Sequence, residues 1–224
     1  DLERIMSLAA VDGDVDALDE LKARTEAANE DELAVIVIKL LERIGGEAAV
    51  LGAHEDGMED SEGDTGRDED EDGRHGPLLR CDARYVALGV ELLGVMPETK
   101  FGPSHRGALG RGIRHVLNSY MGNCRAVCDV GVLKTSLRVL DGMLRSNEDV
   151  EISGDALLIA ECLRRVAGYS TSTLDLKAWL RLASSSAPNA QVFLLDQLNM
   201  TLQSRYSSGP AEIFLLDGES SGIL

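Results

Sequence analysis

An all-α fold of stacked helical pairs is what this sequence predicts, on three observations. The first is apolar periodicity between Gly131 and Tyr206. Leu133, Leu137, Leu140 and Leu144 fall four, three and four apart, which puts them on one face of a 3.6-residue helix. Ile159, Cys162, Leu163 and Val166 make a second stripe, Leu176, Trp179, Leu180 and Ala183 a third, and Leu194, Leu195, Leu198 and Leu202 a fourth. The second observation is that short polar turns separate the stripes, as between Ser184 and Pro188. The third is composition. Aromatic residues make up 4% of the 224, while Leu and Ala abound, which suits helix packing better than a β-sandwich. A lone helix cannot bury such a stripe, but pairs stacked side by side can.

Taken in order, residues 1–11 read as the tail of a helix, with Leu2, Ile5, Met6 and Leu8 apolar. Asp12-Gly13-Asp14-Val15-Asp16 invites a calcium-loop reading. Such a loop needs glycine at position 17 and glutamate at position 23, and both are alanine here. A turn at Gly13 and an N-cap at Asp14 fit better. Glu30 to Ile44 carries a full stripe (Leu33, Val37, Leu40, Leu41, Ile44) that Gly45-Gly46 stops. Residues 1–51 thus form one N-terminal helical repeat.

Residues 52–76 break the pattern. The run is acidic, glycine-rich and nearly free of large apolar side chains, so burial cannot offset its ordering entropy and a disordered linker is expected. Phosphorylation at Ser61 or Thr65, or a decoy for basic partners, are the functional readings beside a plain solvated insertion. Insertions of this kind cost little stability. Pro77 suits the first turn of the next helix, whose stripe is Tyr85, Leu88, Leu92 and Val95. After Gly102-Pro103, the stripe Leu109, Ile113, Val116, Leu117 and Tyr120 marks another helix. From Asn123 to Lys134 a short helix ends near Asp129, and Gly131 allows a sharp turn into a longer one, in the manner of an armadillo repeat. Ser153 and the Ser170–Thr173 run offer caps, Gly168 closes a helix, and Pro188 opens the last. Residues 77–206 therefore read as armadillo/HEAT-like hairpins. Beyond Ser207-Ser208-Gly209-Pro210 the period changes, and Glu212–Asp217 reads as one β-strand. One strand makes no sheet, so 207–224 reads as the junction and first strand of a β-domain missing from this chain. The chain lacks an initiating Met and reads as a piece of something longer.

The net charge is −17, of which residues 55–72 contribute −10 through eleven acids against one base. An acidic chain lacks the basic surface that phosphate contact needs, so nucleic acid is not an expected partner. From Thr99 to Cys128 there is no acid, yet Lys100, Arg106, Arg111, Arg114 and Arg125 are present, with His105 and His115. Ordinary surface charge neutralised by neighbouring helices explains this island. The functional reading is a partner-binding patch for an acidic segment, either a partner's or the chain's own 55–72, and deleting 55–72 should then raise the island's affinity for acidic peptides.

No catalytic constellation appears. Gly107-Ala108-Leu109-Gly110-Arg111-Gly112 has neither the dinucleotide spacing nor a preceding strand, and Gly131-Val132-Leu133-Lys134-Thr135 lacks the glycine before lysine that a phosphate loop requires. There is no nucleophile elbow and no HExxH. Cys81, Cys124, Cys128 and Cys162 sit in apolar helical contexts without zinc spacing, so reduced buried thiols and a cytosolic compartment are expected. No catalytic residue, cofactor, metal or small-molecule substrate is expected. The sequon Asn199-Met200-Thr201 falls in an apolar-periodic helix and is expected to be unused. The longest apolar run, Leu33 to Leu41, is interrupted by Lys39 and falls short of the ~20 residues of a membrane span.

Gly168-Tyr169-Ser170, Leu176-Lys177, Leu194-Leu195, Leu198-Asn199-Met200, Gly209-Pro210, Ile213-Phe214, Asp217-Gly218 and Ser221-Gly222-Ile223 together form a pattern. It resembles the large BEACH-domain proteins of the neurobeachin and ALFY-like (plant SPIRRIG-like) branches. The likeness is fullest over 168–224, extends over 77–167 and is absent from 52–76. In that family an armadillo-like region leads into a concanavalin-A-like module, and residues 209–223 resemble the junction. The PH, BEACH and WD-repeat modules and the strand after the junction are not in this chain. The resemblance implies a non-catalytic cytosolic scaffold in vesicle trafficking, membrane-protein sorting or autophagy. It would bind proteins through a helical groove and lie near endomembranes only through the missing modules. A generic armadillo/HEAT regulatory subunit and a helical enzyme domain are the alternatives.

Overall fold

Helix boundaries fall where side chains satisfy the backbone donors that a helix start leaves open. In a computed structural model, which describes residues 1–54, 80–97, 104–119, 121–146 and 152–207, Asp14 accepts from Asp16 N at 2.9 Å and Ala17 N at 3.1 Å and so opens α2 (Val15–Ala27). Before it come α1 (Leu2–Ser7), a π-helical turn (Leu8–Asp12) and the turn at Gly13. Asn29 and Glu32 exchange side chain-to-backbone bonds at 3.0 and 3.2 Å at the head of α3 (Glu30–His54). Asp82 accepts from Arg84 N at the head of α4 (Ala83–Leu93), and Ser104 from Gly107 N at the head of α5 (His105–Ser119). The short α6 (Met121–Asp129) turns into α7 (Val132–Ser146) at Gly131, whose φ of 76° lies in the left-handed region that favours glycine. Ser153 caps α8 (Gly154–Tyr169), a Ser172–Asp175 capping box opens α9 (Thr173–Ser185), and Pro188 begins α10 (Pro188–Ser207).

The fold is all-α, and the described residues contain no strand. The helices make two layers. In one, α3 lies against α5, α5 against α8, and α8 against α10. In the other, the π turn lies against α4, α4 against α7, and α7 against α9. The pairs α4/α5, α7/α8 and α9/α10 join the layers, and α6 wedges among α4, α5, α7 and α8. Glu91 of α4 ties the second layer sideways, pairing with Lys22 of α2 at 2.9 Å and with Arg138 of α7. One apolar core runs between the layers, with Leu40, Leu92, Leu109, Leu140, Leu163, Trp179 and Leu194 fully buried. Each such side chain contributes about 2 kcal/mol.

The expected stripes of α7 and α8 are buried throughout. Four expected members of the later stripes are not, Leu176 and Leu202 being half-buried and two others exposed. Leu180 is 49% exposed and Leu195 41%, while the unpredicted Leu182 is buried. Leu194 and Leu195 stand about 100° apart on the helix, and only one can face in.

Gly45-Gly46 breaks α3 as expected, with Gly46 at φ 63° and ψ −149°, a region open essentially to glycine alone. The chain then resumes a helix to His54. Gly52 and Ala53, assigned above to the linker, are buried helical residues, because His115 of α5 closes directly over Gly52. The backbone N–H of Asp82 fills the break by donating to the Ile44 carbonyl at 3.0 Å. Asp82, rather than Pro77, sits at the start of α4. The linker from residue 55 onward, Pro77, Lys100, Gly102-Pro103, Tyr120 and the strand expected at 212–217 lie outside the described residues.

Helix α5 is the hub, touching α3, α4, α6 and α8. Its glycines make the contact close. A Cβ at Gly112 would fall 2.4 Å from Leu41 Cδ2 and 2.7 Å from the Ala49 carbonyl. The glycine-rich stretch of α5 is therefore a packing surface.

Candidate functional site

Helices α5 and α8 have neighbours on both sides within their layer and the other layer beneath. Each is left a single outward stripe. On α5 it holds Arg111, Arg114, His115 and Asn118, and on α8 Leu157, Glu161 and Arg164, at helical spacings of three and four. Arginines from these stripes reach sideways. Arg111 Nε donates to the Ala53 carbonyl of α3 at 3.0 Å, Arg114 Nη1 to Glu161 Oε2 of α8 at 2.7 Å, and Arg164 Nη1 to the Met200 sulfur of α10 at 3.6 Å. The outward face is thus stitched from α3 to α10 by guanidinium groups. Leu157 and Met200 are 44% and 43% exposed among them.

The structure separates the five residues of the basic island. Arg106 is buried, donates to the Met96 carbonyl, and holds Nε 3.9 Å from Asp155 Oδ2. Ser104 Oγ shares that carboxylate at 3.3 Å. This is an internal junction of the turn after α4 with α5 and α8. Arg111 and Arg114 lie on the outward face. Arg125 is exposed on α6, and Lys100 is outside the described residues. Arg164, Leu157 and Met200 were missed by the sequence reading. Their signal is charge or apolarity off the buried stripe, which is weak until the neighbours are known.

Cys124 and Cys162 are buried, whereas Cys81 and Cys128 are half-buried. Cys124 Sγ donates to the Leu117 carbonyl and Cys128 Sγ to that of Val166, both at 3.5 Å. Burial pushes the Cys81 and Cys128 thiols up to about 11 and the Cys162 thiol to about 12. All four are free thiols. Among the described residues, no group of three or more His, Cys, Asp or Glu converges on one point. Lys134 and Thr135 lie in the first turn of α7, and Thr201 of the sequon is buried, bonding the Gln197 carbonyl at 2.8 Å. A cleft of about 280 Å³ is lined by Glu3, Met6, Lys39, Glu42 and Arg43. Glu3 pairs there with Lys39 and Arg43. The hydrogen bond from Lys39, with its charge, holds the Glu3 carboxyl below its usual range, and Arg43 adds to this. No described helix is long and apolar enough to cross a membrane. Compared with protein-family models and with solved structures, the chain matches none.

Proposed function

We propose that this chain is a non-catalytic interaction scaffold of the armadillo/HEAT type, a fragment of a BEACH-type protein acting in vesicle trafficking, membrane-protein sorting or autophagy. The observation that carries the scaffold reading is the layered stack itself. It leaves α5 and α8 one free stripe each and joins those stripes into a continuous outward face. Solenoids of paired helices bind partners along such faces. The free thiols, two buried and two half-buried, accord with a cytosolic setting.

The family reading rests on the junction-like residues 209–223. Reading the open reading frame beyond Leu224 tests it. A lectin-like β-sandwich followed by a BEACH module is expected. A stop, or an unrelated catalytic domain, overturns the assignment and leaves the scaffold reading standing on the fold.

A further inference from the structure

We propose that the outward face of α5, α8 and α10 docks a short acidic segment of another protein, its carboxylates on Arg111, Arg114 and Arg164 and its apolar side chains over Leu157 and Met200. This rests on the scaffold reading and names the partner's chemistry.

Charge complementarity singles out the occupant. The outward stripes of α5 and α8 carry three arginines against Glu161, in a chain whose net charge is −17. The face is therefore locally cationic and favours the approach of an acidic peptide. Arg164 supplies the sharper argument. Its Nη1 points at a thioether sulfur 3.6 Å away, a weak acceptor for a guanidinium. A carboxylate accepts two parallel N–H bonds from the same group, and charge assistance roughly doubles their strength. A ligand carboxylate therefore takes Arg164 from Met200 at little cost and frees the methionine, a soft side chain suited to adaptable contact. Leu157 lies seven residues before Arg164 on the same stripe and is exposed beside Glu161. The face thus carries both cations and exposed apolar groups.

Its length sets the ligand. From α5 to α10 is two interhelical steps of roughly 8–10 Å each. An extended chain at ~3.3 Å per residue crosses that distance in about six residues.

The test uses the full chain and three fluorescein-labelled peptides of about eight residues, long enough to overhang both helices. All carry leucine at both ends, and their centres are glutamate, glutamine or lysine. Fluorescence anisotropy should show binding of the glutamate peptide alone, weakened several-fold by raising salt from about 0.05 to 0.5 M. Arg164→Glu should weaken it by about tenfold or more, the loss of one charge-assisted contact. Arg181→Glu, an exposed site on α9 in the other layer, should leave binding unchanged, and circular dichroism melts confirm that both variants fold. Absence of binding, or equal binding by Arg164→Glu, overturns the proposal. Preference for the glutamine or lysine peptide, abolished by Leu157→Asp, overturns the acidic specificity and leaves the scaffold reading intact. A chain lacking residues 55–72 is run alongside. If it alone binds, the occupant is the chain's own acidic stretch and the partner proposal falls.

Discussion

The indole Nε1 of Trp179 donates to the carbonyl oxygen of Leu194 across 2.9 Å, fastening α9 to α10 at the end of the stack. Both residues are fully buried. Trp179→Phe should therefore cost about 1–2 kcal/mol through the lost bond and volume. Trp179→Ala should cost about 3–5 kcal/mol through the cavity as well. Urea unfolding followed by circular dichroism measures both. Equal stability of the two variants would show that the ring fills no space that matters.

Two glycines predict opposite signs. A methyl group at Gly112 meets Leu41 and the Ala49 carbonyl well inside contact distance, whereas one at Gly142, on the exposed side of α7, meets nothing within 4 Å. Gly112→Ala should destabilise by about 1–3 kcal/mol by forcing α3 and α5 apart. Gly142→Ala should stabilise by about 0.5–1 kcal/mol through helix propensity. Melting temperatures moving in the same direction would contradict the packing role of the α5 glycines.

Asn123 is a clasp. Its Oδ1 accepts from Cys81 N at 3.0 Å and its Nδ2 donates to the Val116 carbonyl at 2.8 Å, with 3% of the residue exposed. Asn123→Ala leaves the Cys81 N–H short of its partner, at about 1–3 kcal/mol, while the Val116 carbonyl keeps the Ser119 hydroxyl at 2.8 Å. The urea midpoint should fall with no change in slope. A drop under about 0.5 kcal/mol, the range of ordinary surface substitutions, would mean water replaces the amide freely.

Cys162 ties stability to alkaline pH. Burial raises its thiol from 9.0 to about 12, with nearby Glu161 adding to the effect. The unfolded chain loses this proton first. The contribution is therefore complete below pH 9.0 and is lost as pH rises toward about 12, at about 1.4 kcal/mol per pH unit. Cys162→Ala should flatten the decline between those limits in stability curves taken at successive pH values. An identical slope in the variant would remove Cys162 as its source.

Where apolar period and local capping agree, the sequence is legible. Asp14, Ser153 and the Ser172–Asp175 box act through bonds spanning two or three residues, so their chemistry is complete within a short window. The stripes of α7 and α8 read correctly because each helix is covered along its buried face by partners on several sides. At α9 and α10 cover is one-sided, and adjacent leucines such as Leu194 and Leu195 leave the facing ambiguous. The members of the basic island part company for another reason. Arg106 finds Met96 and Asp155, residues 10 and 49 positions away, so its burial depends on contacts that no local pattern announces. The outward face was legible only in Arg111 and Arg114, because Arg164 and Met200 become neighbours through the stacking of α8 on α10.

Arg111 grips the Ala53 carbonyl on one side of residues 55–79, and Asn123 grips Cys81 N on the other. The folded layers themselves hold the two chain ends where that stretch departs and returns. The consequence is evolutionary latitude. The helices on either side keep their register through anchors made wholly within the folded layers, whatever chemistry descendants acquire between them.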